Sequence, residues 1–281
     1  MAGAKRLDQK AIEVIAEDIL RDLGMYKLPV NPFTIARKER IRLLPGSYGG
    51  CFDGRLEYHG SKRKFLLFYA DKRVGNTDGR IRFTIGHELG HYYLDEHNEY
   101  LTCGLWHGSH TGFVSDNRLE READWFSAAL LMPAELFRTA VGDHRRRVCT
   151  LRELMNLADQ LMVSVTAAAI RYCDLDIESA SVIMSKDGKV LFHISSYGMR
   201  HHGYSYIAKG SMVPPTSVAF RLLEDQSIER DEEEIDAEVW YEDKSGILWE
   251  ESARLGNSGL IITYLTPQVE EEDEESETED D

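Results

Sequence analysis

The chain has 281 residues, of which 42% are hydrophobic, and a formal net charge of −16. That length suffices for one large domain or two modest ones with real cores, and no run approaches the roughly 18 apolar residues of a membrane span. So acidic a chain is not expected to adhere to nucleic acid non-specifically, and Cys51, Cys103, Cys149 and Cys173 are too scattered for a zinc knuckle or a disulfide framework.

The start, MAGAKRLDQK, has no apolar signal core or cleavage site, which with the unpaired thiols points to a reducing cytoplasm. Ile12, Ile15, Ala16, Ile19, Leu20 and Leu23 then recur at helical spacing, and Gly24 stops them. Asn31-Pro32 opens a short helix through Phe33 to Arg37. Ile41 to Leu44, Gly54 to Tyr58 and Lys64 to Tyr69 read as short strands, of which 64–69 is the expected holder of a substrate backbone by strand addition.

A helix predicted over 81–95 carries His87-Glu88-Leu89-Gly90-His91. A four-residue helical step advances about 6 Å and returns to nearly the same face, so both histidines can offer one nitrogen to a single metal ion. Glu88 lies on their flank, where a carboxylate can take a proton from an attacking water. A catalytic zinc uses three protein ligands, and two histidines with one glutamate is a known set. Gly90 costs about 1 kcal/mol relative to alanine inside a helix and is read as allowing close backbone approach.

Residues 98–117 read as a mostly irregular loop bordering the cleft, with His110 and His107 as candidates to stabilise the oxyanion. Leu119, Ala123, Phe126 and Leu130 then mark a second helix, capped from Ser115, Asp116 or Asn117 and ended by Pro133. Glu120 and Asp124 share its face. Glu120 is assigned to the metal, and Asp124 to accepting the other N–H of a ligand histidine, which fixes its tautomer. Glu122, about 200° round the helix from Glu120, is the weaker ligand candidate, read as a solvated charge pairing with Arg118 or Arg121.

The stretch from Arg82 to His97, RFTIGHELGHYYLDEH, resembles the central motif of the ImmA/IrrE family of metallo-endopeptidases, and EREADWFSAALLMP, from Glu120 to Pro133, resembles its second motif. The Glu-then-Asp spacing is also similar to the broader thermolysin-like class. The resemblance covers roughly residues 10–175. Many members read Leu-His after the first motif; here Asp95 stands at that histidine's position and the histidine follows at His97. The resemblance implies a regulatory enzyme that cuts a helix-turn-helix repressor in stress response or mobile-element control.

Two short helices, Leu151 to Leu161 and Val163 to Tyr172, resemble a helix-turn-helix, with Arg145, Arg146, Arg147, Arg152 and Arg171 nearby. The second reads VTAAAIRYC, with hardly a side chain for base edges, so a structural hairpin is the preferred reading. Strands are predicted at 181–184, 190–194, 204–208, 237–241 and 260–265, with a helix at 218–223. His201-His202 reads as an exposed loop. Residues 270–281 hold ten carboxylates and no apolar side chain, and are expected to be disordered.

Together these give an α+β protein: a zincin-like peptidase domain over 1–175 with a hairpin at 150–172, a small mixed-sheet domain of sensing or substrate-guiding type over 181–266, and an acidic tail over 267–281. The expected activity is zinc-dependent endopeptidase, one Zn2+ per chain held by His87, His91 and Glu120, with Glu88 as the proton acceptor and a transcriptional repressor as the protein substrate. Direct membrane or nucleic-acid binding is not expected. Two other classes stay open: a DNA-binding regulator using 150–172, and a toxin–antitoxin-associated protein whose metal is structural.

Overall fold

In the computed structural model, which describes residues 7–71, 78–103, 117–142, 149–256 and 259–268, the Asp8 side chain accepts the Ala11 N–H and starts α1 (Gln9–Asp22). Asn31 does the same for α2 (Pro32–Lys38), whose first residue is a proline that has no N–H to leave unpaired. Three strands follow: β1 (Arg42–Gly46), β2 (Gly54–His59) and β3 (Lys64–Ala70). Their order is β1-β3-β2, with β1 parallel and β2 antiparallel to β3. The strand expected to receive a substrate backbone, 64–69, is therefore the wrong one. Both sides of β3 are already taken by its neighbours, and β2 stands at the end of the order.

The helix predicted over 81–95 is α3 (Asp78–Tyr93), followed by α4 (Asp95–Thr102). The loop expected from residue 98 onward thus begins inside a helix; its remainder, with His107 and His110, lies outside the described residues. Asn117 caps α5 (Arg118–Leu131) by accepting the Leu119 N–H. Ile12 and Leu20 of α1, Ile35, Leu56, Leu67, Ile85, Leu89, Phe126 and Leu130 pack into one core, so α3 and α5 are held from behind by apolar contact. A helix not anticipated, α6 (Ala134–Val141), starts at Pro133, which offers no side-chain cap. Glu17 of α1 supplies it instead, accepting the Ala134 N–H at 3.0 Å.

The pair α7 (Leu151–Leu161) and α8 (Val165–Asp174) matches the predicted hairpin. Thr150 and Glu153 form a reciprocal capping box on α7, and Ser164 caps α8. In α8, Thr166, Ala168, Ala169, Arg171, Tyr172 and Cys173 are buried. Arg171, read as local positive charge, donates to the Met132 carbonyl and pairs with Glu13, so its charge is not presented outward. Cys149 and Cys173 are buried, whereas Cys51 and Cys103 are exposed, and all four are free thiols.

The chain divides into two compact units, Met1–Ile177 and Glu178–Asp281, both of helices and sheet in the α+β manner. The second holds a five-stranded sheet ordered β5-β4-β8-β7-β6, with every neighbour antiparallel: β4 (Ser181–Lys186), β5 (Lys189–Ser195), β6 (Arg230–Asp236), β7 (Ile247–Arg254) and β8 (Leu260–Pro267). Helices α9 (Tyr197–His201) and α10 (Val218–Glu224) accompany it. Two expected strands are absent: 204–208 is irregular, and Ala237–Val239 is a 3-10 turn. Among the described residues, no helix is long and apolar enough to cross a membrane. The acidic tail from residue 269 lies outside them.

Candidate active site

Helix α3 is buried all round from Thr84 to His91, and His87, Glu88 and His91 are 2%, 1% and 0% exposed. Against it lies α5, and Gly90 lets it come close. A Cβ at residue 90 would sit 3.1 Å from the Ala123 Cα and 3.3 Å from the Ala123 carbonyl oxygen. That approach brings Glu120, one turn before Ala123, to the two histidines. Its carboxylate oxygens lie 3.3 Å from His87 Nε2 and 3.5 Å from His91 Nε2. The two Nε2 atoms are 3.1 Å apart. Three residues named from the sequence, His87, His91 and Glu120, thus place one donor atom each within 4.8 Å of one another.

The rings are fixed from their far sides. His87 Nδ1 lies 2.8 Å from Asp124 Oδ1, and since the carboxylate can only accept, Nδ1 carries the proton there. His91 Nδ1 lies 3.1 Å from Nδ1 of His97, whose Nε2 in turn lies 3.0 Å from Glu122 Oε2. Glu122 Oε1 accepts from Arg118 at 3.0 Å, and Arg118 also pairs with Glu96. From the sequence, His97 has no assigned role and Glu122 only the weaker claim on the metal. Glu122 is not a solvated charge but 2% exposed, because its position on α5 faces α4 rather than water; the expected partner Arg118 is correct, and His97 is the one missed. The available signal was the third histidine, six residues after His91 on the next helix.

The donor set fits a metal ion. Two imidazole Nε2 atoms 3.1 Å apart with a carboxylate beside them can each offer a lone pair to one cation. Negative charge gathers at the same place, and His87 registers it. Burial pushes its pKa down, yet Asp124, Glu120 and Glu88 outweigh burial and raise it to about 10. For His97, burial is the largest influence and holds its pKa below the ordinary imidazole value, against Glu122 and Glu96.

Glu88 sits under β2. A Cβ at Gly54, the first residue of that strand, would fall 2.6 Å from both Glu88 Oε1 and Thr84 Cγ2. Only a residue lacking a side chain lets the strand cross the glutamate so closely. Asp53, just before it, is buried and accepts from Arg80 at 3.1 Å. Strand β2 is thereby held at both its backbone and its flank beside the carboxylate that the sequence marks for proton transfer.

Residues 73–172 match the family model described as the IrrE N-terminal-like domain of the M78 peptidases. Among solved structures, a Mycobacterium tuberculosis transcriptional regulator is similar with a TM-score of 0.58, covering 91% of this chain and 76% of that one at 12% identity. That likeness is one of fold. No curated protein matches the chain.

Proposed function

We propose that this chain, whose residues 73–172 match the IrrE N-terminal-like domain, is a zinc-dependent endopeptidase of the ImmA/IrrE kind making a site-specific cut in a helix-turn-helix transcriptional repressor in the cytoplasm. The observation that carries the reading is the convergence of His87, His91 and Glu120 with Glu88 alongside and β2 passing over it. Two imidazoles and one carboxylate form a set zinc accepts while keeping a position open, which separates a catalytic ion from a structural one. When bound, the ion supplies a Lewis acid for the scissile carbonyl and makes water more acidic.

The residues of the chain do the rest. The substrate backbone lies along β2, at the end of the sheet order, which corrects the expectation for β3. Glu88 takes a proton from the attacking water and delivers it to the leaving amine. Asp124 keeps His87 in the tautomer that turns Nε2 toward the centre. Near-complete burial of Glu88 excludes bulk water from its carboxylate and strengthens every charge interaction there. A folded repressor presents one exposed segment to such a cleft, so two discrete fragments result. His107 and His110 remain the candidates for the oxyanion.

The test is to incubate wild type and Glu88→Gln with a panel of purified helix-turn-helix repressors, any encoded beside this chain first, and to follow products by mass spectrometry. Two fragments with wild type and none with the variant are expected, with close to one zinc per chain in both. Indiscriminate digestion of casein overturns the regulatory reading, and tight DNA binding without cleavage favours α7–α8 as the functional element.

A further inference from the structure

We propose that His97 and Glu122 are positioning residues for the metal centre, forming a directional proton chain that sets the tautomer of His91 and through it the centre's affinity for its ion. The inference rests on the metallopeptidase reading above. It extends that reading to two buried residues outside the set of three donors.

Each link of the chain dictates the next. Glu122 is 2% exposed, and its carboxylate can only accept. His97 Nε2, 3.0 Å away, must therefore carry the proton, which leaves Nδ1 of a neutral ring with a lone pair. His91 Nδ1, 3.1 Å from that lone pair, must in turn carry a proton, and His91 Nε2 is then the acceptor facing Glu120 and His87. His97 is itself 2% exposed, so both of its ring nitrogens find their partners within the protein. Arg118 fixes the far end: it donates to Glu122 Oε1 at 3.0 Å, so the second oxygen is the one given to His97. The two ligand histidines are thus oriented by different means, His87 directly by Asp124 and His91 through an intervening ring.

The geometry makes Glu122→Gln informative. An amide has one accepting oxygen, but the site holds two donors, the Arg118 guanidinium and His97 Nε2–H. Turning the amide N–H toward the guanidinium opposes like donors, so the oxygen goes to Arg118 and the amide N–H faces His97. His97 then protonates at Nδ1, and His91 is driven to carry its proton on Nε2, where an ion has to bind. Zinc affinity, measured by competition with a chromophoric chelator, should fall about ten- to a hundredfold. The 15N spectrum of histidine-labelled protein should report His97 moving from the Nε2–H to the Nδ1–H form, a change that loosened packing alone does not produce.

A second pair keeps the test sharp if that variant folds poorly. His97→Gln can place its oxygen on His91 Nδ1–H and its amide N–H on Glu122, reproducing the polarity, and should hold zinc within a few-fold of wild type. His97→Leu has no acceptor and should bind as weakly as Glu122→Gln. Wild-type affinity in both Glu122→Gln and His97→Leu, with unchanged tautomers, overturns the chain and leaves the metal centre standing. A wild-type protein that takes up no zinc removes the centre and this inference together.

Discussion

His87 in the first unit is buried and His193 in the second half-buried, yet the pKa of the first is raised to about 10 and that of the second is pushed down to about 4. Burial acts downward on both. Around His87, Asp124, Glu120 and Glu88 overwhelm it with negative charge. Around His193 the partners are neutral hydroxyls: Nε2 lies 2.9 Å from Ser195 Oγ and 3.1 Å from Tyr241 OH, while Tyr241 donates to Ser181 and Ser195 to the Tyr204 carbonyl. The carboxylates differ in the same way. Glu250 is fully buried but accepts from Trp240 Nε1, the Ala219 N–H and Ser252, so its oxygens bind the start of α10 to β7. The polar groups around His193 and Glu250 close on one another, whereas those around His87 converge with His91 and Glu120 as a set of donors.

The strongest way to break this contrast is at Glu88. Glu88→Gln should lower peptide cleavage about 10²–10⁴-fold, the usual worth of a general base, without releasing metal. An active Glu88→Gln enzyme, assayed by fragment yield, removes proton transfer from Glu88. Next comes metal removal. Stripping the ion should destabilise the first unit by about 4 kcal/mol if it is normally present at a thousand times its dissociation constant, and leave the second untouched. Calorimetry with and without chelator should therefore shift one transition; two equal shifts would tie the second unit to the metal as well.

His193 sharpens the other side. Its folded pKa lies below the unfolded value near 6.5, so the unfolded chain binds a proton that the folded unit refuses. Stability of the second unit should be fully present above about 6.5 and decline as pH falls toward 4, by on the order of 2–3 kcal/mol. Denaturant titrations of wild type and His193→Gln across that window give the comparison, and parallel slopes would discharge His193 from the role. The smallest effect belongs to Asp124→Asn. It keeps a side chain of the same shape but loses the obligatory acceptor for His87, and should cost about 10–100-fold in metal affinity or turnover. Equal zinc affinity in wild type and variant would show that packing alone orients His87.

Where the sequence was legible, one residue's chemistry carried a short-range geometric rule. His87 and His91 share a helical face by spacing, Asn117 and Asn31 cap by side-chain reach, and Glu120 and Asp124 lie one turn apart. What it did not reveal came from contacts between elements. Glu122 looked solvent-facing because α4, which covers it, was expected to be a loop from residue 98. Strand β6 reads DEEEID and went unseen because an edge strand with exposed acidic side chains has no apolar alternation. Strand β7 was hidden by Glu250 and Glu251, both buried, which interrupt its apolar pattern. The expectation for 64–69 missed its central place in the sheet because sheet order is a long-range property that no run of residues encodes.

The absent side chain at Gly90 has a consequence beyond helix packing. Two of the three donors ride on α3 and the third on α5, so the gap between those helices is the bite of the site in the sense used for a chelating ligand. A Cβ at 90 would press on the Ala123 backbone at 3.1 Å and push the helices apart. Zinc takes nitrogen at about 2.0–2.1 Å and carboxylate oxygen at about 2.0–2.2 Å, so a shift of a few tenths of an ångström between the helices is felt by the whole donor set. In the proposed site the fit of the ion would then depend partly on a residue that contributes no donor, and Gly90→Ala is expected to register as weakened zinc binding before it registers as lost structure.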